Sequence, residues 1–240
     1  MAGSHPKRDE LGRSRHVGPP LGPVAVIATA LLVASLVVGA LGGGPFPSPY
    51  DSTPDVLGFF AGHRTTVRVA ATLQFASAVP LVILSAALVS RLQFLGFGRV
   101  PGTLIALTGG ILASGFLVVS AVVQWVLSRP EVAADRVVVR PLADLSFAAG
   151  GPAHVVFLGL LIAGLAVPSA VGRLLPRGLA LAGVAIAAVA ELSTLALISQ
   201  PAAFLLPLAR FGGLAWLIGA AVLLPARHRT SSPSPERNTP

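Results

Sequence analysis

Six runs of about twenty residues, almost free of charge, divide this chain, and no fold built from them can keep its surface in water. They cover 24–41, 69–90, 103–127, 153–171, 178–199 and 204–224. A helix rising 1.5 Å per residue needs roughly 20 apolar residues to cross the hydrocarbon core of a bilayer. In hydrocarbon every backbone N–H and C=O must be paired within the structure, which a helix does by itself and an open strand does not. The runs therefore predict an all-α polytopic membrane protein, a bundle of six transmembrane helices within residues 22–225. The wider composition agrees. Of the 240 residues 54% are hydrophobic and 11% charged, where soluble domains carry about 25% charge; the mean hydropathy is +0.82.

The polar segments set the expected orientation. Residues 1–21 and 226–240 read as disordered tails. Eleven Lys and Arg fall in the N-terminal tail, 91–102, 172–177 and the segment from Pro225 onward, against five in 42–68, 128–152 and 200–203. The positive-inside rule then places both termini in the cytoplasm. One lysine, Lys7, against sixteen arginines, with abundant Ala, Gly, Val and Pro, points to a GC-rich bacterial genome and so to a bacterial inner membrane. The first run follows basic residues, as a signal peptide does. It is longer than the usual 7–15 apolar residues and no small-x-small site follows in a polar context, so it is expected to stay attached.

Two outer loops are long enough for structure. In the first, Thr53 is expected to cap a short helix, with Pro54 in its first turn and Asp55 favouring its dipole, followed by Phe59 and Phe60. In the second, Pro130 to Phe147, the charges Glu131, Asp135, Arg136, Arg140 and Asp144 alternate with Val and Leu. This reads as a surface connection or an interfacial helix.

Several activities leave signatures that the sequence lacks. A pI near 11.7 invites nucleic acid as a partner, but the basic residues lie between apolar runs rather than along one stripe with a motif. The absence of cysteine removes disulfides, thiolate metal sites and cysteine nucleophiles. Paired intramembrane histidines for haem, zinc-peptidase motifs and phosphate-binding loops are missing, so no cofactor or metal is expected. Ser114 lies near the middle of the third span and His154 at the outer face of the fourth, too far apart for a nucleophile and its base. Small residues four apart, Gly110 with Ser114, Gly159 with Ala163 and Gly183 with Ala187, fit close helix packing.

Glu191 in the fifth span and Arg210 in the sixth are the charges that remain within the membrane. A charge at that depth costs on the order of 3 kcal/mol even on the lenient insertion scale, so each needs a partner, water or, for the glutamate, a proton. The two lie at similar distances from the turn Gln200-Pro201-Ala202-Ala203, which predicts that they face each other wherever helix rotation allows it. Gln74, Gln124 and His154 share that outer half of the membrane. Together the five residues form a candidate polar pocket; the competing reading is a Glu–Arg clasp with the other three at the interface.

The stretch Leu206-Pro207-Leu208-Ala209-Arg210-Phe211-Gly212-Gly213-Leu214-Ala215-Trp216-Leu217, with Thr53-Pro54 to His63-Arg64, resembles an uncharacterised family of six-span actinobacterial membrane proteins, a domain of unknown function. The resemblance implies a six-span bacterial membrane protein and transfers no functional residue. Two function classes follow from the residues: a small transporter or sensor with an outer polar pocket, or a non-catalytic scaffold or subunit of a membrane complex. The expected partners are the lipid bilayer and a small ligand or a membrane protein, not nucleic acid. An enzyme is disfavoured, since no nucleophile–base pair or metal cluster is visible.

Overall fold

The structure, a computed structural model, describes residues 18–225. Most of both expected tails lies outside the described residues, and helix already begins at Leu21. Nine α-helices occur among the described residues: α1 (Leu21–Gly43), α2 (Thr53–Gly62), α3 (Arg64–Leu92), α4 (Pro101–Leu127), α5 (Pro130–Ala133), α6 (Arg136–Ala148), α7 (His154–Val171), α8 (Arg177–Leu192) and α9 (Leu205–Leu223). No strand occurs among the described residues. Six helical stretches are long and apolar enough to cross a membrane: Leu21–Gly43, Arg64–Phe97, Pro101–Leu127, Arg136–Val171, Arg177–Leu197 and Pro201–Leu223. The chain is thus an all-α bundle and a multi-pass membrane protein.

The six long stretches pack in a ring. α1 lies on α3, α3 on α4, α4 on α7, α7 on α8, α8 on α9, and α9 returns to α1. One end of the bundle carries the short turns 93–100 and 172–176; the other carries α2, α5 and the projecting end of α6. Between α4 and α7 the backbones meet without side chains between them. A Cβ on Gly109 would lie 2.5 Å from Leu161 N and 2.8 Å from Phe157 O, and one on Gly164 would lie 2.5 Å from Ala106 N. Gly183 of α8 sits under the Trp216 ring of α9, whose Nε1 donates to Leu179 O at 2.7 Å. At the short-turn end α3 runs on to Gly96, which turns the chain with φ 97°, a conformation open to glycine at little cost.

The fourth span departs from expectation. The segment before it is not a surface loop. It is helical from Arg136, with the Asp135 carboxylate accepting from Val137 N at 2.9 Å and Val138 N at 3.4 Å. α6 runs into α7 through a wide π-type turn at Ala149–Ala153 that contains Pro152. Proline has no N–H for the residue four earlier and its ring crowds that carbonyl, so widening one turn lets the helix continue past it. The whole stretch of 36 residues is roughly 54 Å long at 1.5 Å per residue, far more than a bilayer needs. α6 therefore projects beyond the span. Val139 and Ala143 of α6 are buried with Val56 and Phe60 of α2, Val67 of α3 and Leu127 of α4.

α2 forms where the sequence placed it, but Ser52 rather than Thr53 caps it: Ser52 Oγ accepts from Asp55 N at 3.3 Å. The segment before α2 is strapped across the bundle end. Arg140 of α6 donates to Asp51 O at 2.8 Å and Pro49 O at 2.5 Å, and pairs with Asp144 at 3.2 Å. Tyr50 OH donates to Ala196 O at 3.0 Å, just beyond α8.

Candidate functional site

At the α2 end, the helices leave a cavity of about 350 Å³ between α1, α3, α4, the α6–α7 turn and α9. That volume is within the usual range of small-ligand sites, about 300–1,000 Å³. Pro45, Phe46 and Pro47 of the strap, with Phe60 of α2, line it at that end. Leu36 and Ala40 of α1 face Leu206, Pro207 and Phe211 of α9 across it.

Its polar wall is built from helices that are otherwise apolar. Gln74 of α3 donates to Leu117 O at 3.2 Å. Gln124 of α4 donates to Gln74 Oε1 and to Ser120 Oγ, each at 3.2 Å. Ser120 reaches Ser146 of α6, its Oγ donating to Ser146 O at 3.0 Å. Ser120 and Gln124 stand four apart, on one face of α4 and one turn from each other. All four side chains are buried. In hydrocarbon such a chain is expected to hold helices together, yet it does not use every polar atom: Gln124 Oε1 is buried without a hydrogen-bond partner.

Arg210 enters the cavity from α9. Its Nη2 donates to Gly150 O, within the π-type turn. The turn thereby sets the position of the carbonyl that Arg210 reaches. Arg210 Nε is buried without a partner. Among the described residues the ion pairs are Arg129 with Glu131 and Arg140 with Asp144, so no carboxylate neutralises Arg210. The cavity is thus lined by Arg210, by Gln74 and Gln124, and by apolar walls.

Of the five candidates from the sequence, the structure brings Gln74, Gln124 and Arg210 to this cavity. The Glu191–Arg210 pair does not form. Depth matching required a favourable helix rotation, and the rotation of α8 does not supply it. On α8 the buried face is Ala180, Gly183, Ala187 and Ala190, and Glu191 is one residue, about 100°, past it. Its carboxylate lies toward Gly159 of α7, and the residue is exposed on the outside of the bundle. Beyond Leu192 the chain tightens into a 3₁₀ turn, Ser193–Leu197, which shifts the phase again.

His154 is also displaced from its expected level. Because α6 extends the fourth helix, His154 is not at the membrane face but deep in the bundle. It is fully buried, with Nδ1 at 2.9 Å from Ala113 O near the middle of α4. It stands behind the cavity rather than in its wall, and its Nε2 has no hydrogen-bond partner. This brings it to the level of Ser114, contrary to the depth argument from sequence. The Ser114 hydroxyl nevertheless donates to Gly110 O at 2.9 Å, so the two form no nucleophile–base pair. No group of three or more potential metal ligands occurs among the described residues.

Sequence reasoning missed Ser120, Ser146, the Gly150 carbonyl and the strap. The Ser120–Gln124 spacing was a usable signal for the first. Comparison with protein-family models, with curated proteins and with solved structures finds no match for this chain.

Proposed function

We propose that this is a small membrane transporter or sensor that binds an anion in the cavity around Arg210. One observation carries the reading: a guanidinium in an apolar bundle with a cavity in front of it and no carboxylate beside it. A structural arginine would be expected to carry a paired acid, because an uncompensated charge in hydrocarbon is costly. A bound anion would supply that partner. Arg suits the task, since its planar fork matches carboxylate and phosphate oxygens.

The test is a thermal-shift screen of the detergent-solubilised protein against small carboxylates and phosphates. A ligand at a hundred times its Kd adds about 2.7 kcal/mol to stability. Such a shift is expected for the wild type and not for Arg210→Gln. Equal shifts in both proteins would refute the site.

The proposed orientation puts this cavity in the outer half of a bacterial cytoplasmic membrane, with both termini inside, on the strength of the Lys and Arg count. A periplasm-active reporter is expected to be silent when fused after Arg229 and active when fused after Asp144. Activity after Arg229 would reverse the orientation.

A second reading, a subunit of a larger membrane complex, rests on a different residue. Glu191 is exposed on the outside of the bundle, roughly 10 Å short of the end of its helical stretch at Leu197. Polar groups at such depth usually meet a partner rather than lipid.

A further inference from the structure

We infer that the cavity is filled sideways from the membrane, between α1 and α9, by a single-chain amphiphilic anion whose head meets Arg210. The inference rests on the anion site proposed above and adds the route and the ligand class. Three observations support it.

The first is the way α1 and α9 meet. At the short-turn end they are in contact: Gly22 lies against Val222, and Leu21 and Ala25 share a core with Ala221 and Leu224. At the α2 end the cavity lies between them. Its rim there, Ala40 on α1 with Pro207 and Phe211 on α9, is exposed on the outside of the bundle, where lipid chains would lie. The second is the roof. The strap over the cavity is tied on both sides, by Arg140 to Pro49 and Asp51 and by Tyr50 to Ala196. The strap is thus fixed at the α2 end, whereas between α1 and α9 the cavity is bordered by the apolar side chains of Leu36, Ala40, Leu206, Pro207 and Phe211.

The third is the chemistry of the walls. The polar groups, Arg210, Gln74, Gln124, Ser120 and Ser146, lie on the sides made by α3, α4, α6 and α9. The α1 side offers Leu36 and Ala40, and α9 adds Leu206 and Phe211. A small hydrophilic anion would leave that apolar side without contacts. A carboxylate or phosphate monoester on an alkyl chain matches both: its oxygens accept from Arg210, and its chain leaves between the helices into the leaflet.

The experiment uses the full chain in nanodiscs of uncharged phosphatidylcholine, with radiolabelled palmitate as probe. Saturable binding is expected, reduced about tenfold to a hundredfold in Arg210→Gln, the range for one charged hydrogen-bonding group, and largely kept in Arg210→Lys. Leu36→Trp, which fills the gap between α1 and α9 without touching the polar wall, is expected to lower palmitate binding at least tenfold. Arg140→Ala, which frees the roof, is expected to leave it unchanged. Lysophosphatidate, butyrate and inorganic phosphate serve as competitors. Displacement by lysophosphatidate at concentrations at least tenfold below those needed of unlabelled palmitate assigns the preferred head as phosphate. Displacement by butyrate or inorganic phosphate at concentrations equal to palmitate, with Leu36→Trp unaffected, overturns the sideways route and leaves the anion site standing. Binding of no anion, or binding indifferent to Arg210, overturns both. If Arg210→Gln fails to fold, Leu36→Trp and the competitors still decide.

Discussion

Gly164→Leu is expected to abolish the folded protein. The residue lies where α7 crosses α4, and a Cβ there would lie 2.5 Å from Ala106 N and 2.8 Å from Ala106 Cα, with Gly102 O closer still. These are backbone atoms in the first turns of α4, so no side chain can swing away to make room. Overpacking a well-filled site ordinarily costs about 1–3 kcal/mol. Here two helices must separate along their contact, so a loss of at least about 3 kcal/mol is expected, a large part of a typical folding free energy. The matched control is Gly115→Leu on the same pair of helices. Gly115 is exposed and has nothing within 4 Å of its would-be Cβ, so the change is expected to be neutral. Size-exclusion profiles and thermal melting of both variants in one detergent compare them. Similar melting temperatures would mean that α4 and α7 do not approach as closely as the backbone places them.

This interface also shows what the sequence could disclose and what it could not. Runs of apolar residues are one-dimensional signals, and each of the six falls on a helical stretch long and apolar enough to cross a membrane, with ends that differ by up to several residues. The exception, the fourth, was misjudged because charged residues at 131–144 looked like a loop. An amphipathic helix projecting from a membrane carries the same residues. Small-residue spacing picked out Gly110, Gly159 and Gly183. Each proves to lie against a neighbouring helix, at Ser85, Ala190 and Trp216 respectively. It did not pick out Gly109 or Gly164, where the approach is backbone to backbone, because the spacing along one helix does not say which helix lies opposite.

The candidate site was legible in part for the same reason. Depth follows from counting along a helix, and Gln74, Gln124 and Arg210, counted to one level, line one cavity. Rotation about the axis does not follow from counting, and it decides contacts. Glu191 and Arg210 are both polar in apolar helices, yet one points outward from α8 and the other into the bundle from α9. His154 was misplaced because its depth was counted from the start of an apolar run rather than from the start of the helix. The π-type turn, which gives Arg210 its acceptor, follows from Pro152 within a continuous helix, and continuity is what the charged segment concealed.

Arg210→Met is expected to separate stability from binding. Removing the guanidinium relieves the cost of a charge in an apolar bundle, on the order of 3 kcal/mol. It also forfeits the hydrogen bond to Gly150 O, and bonds from charged groups contribute about 1.5–3 kcal/mol. The two nearly offset, so without ligand the variant is expected to melt within about 4 °C of wild type, the shift that 1 kcal/mol produces in a protein of this size. Anion binding, in contrast, is expected to fall by at least tenfold. The same variant settles the relation to Glu191. If the two residues do not touch, the effects of Arg210→Met and Glu191→Leu on stability should add in the double variant to within about 0.5 kcal/mol. A coupling of 1.5 kcal/mol or more would mean that the carboxylate reaches the guanidinium in the membrane. Arg210 would then have its own counter-ion, and the case for a bound anion in its place would fall with it.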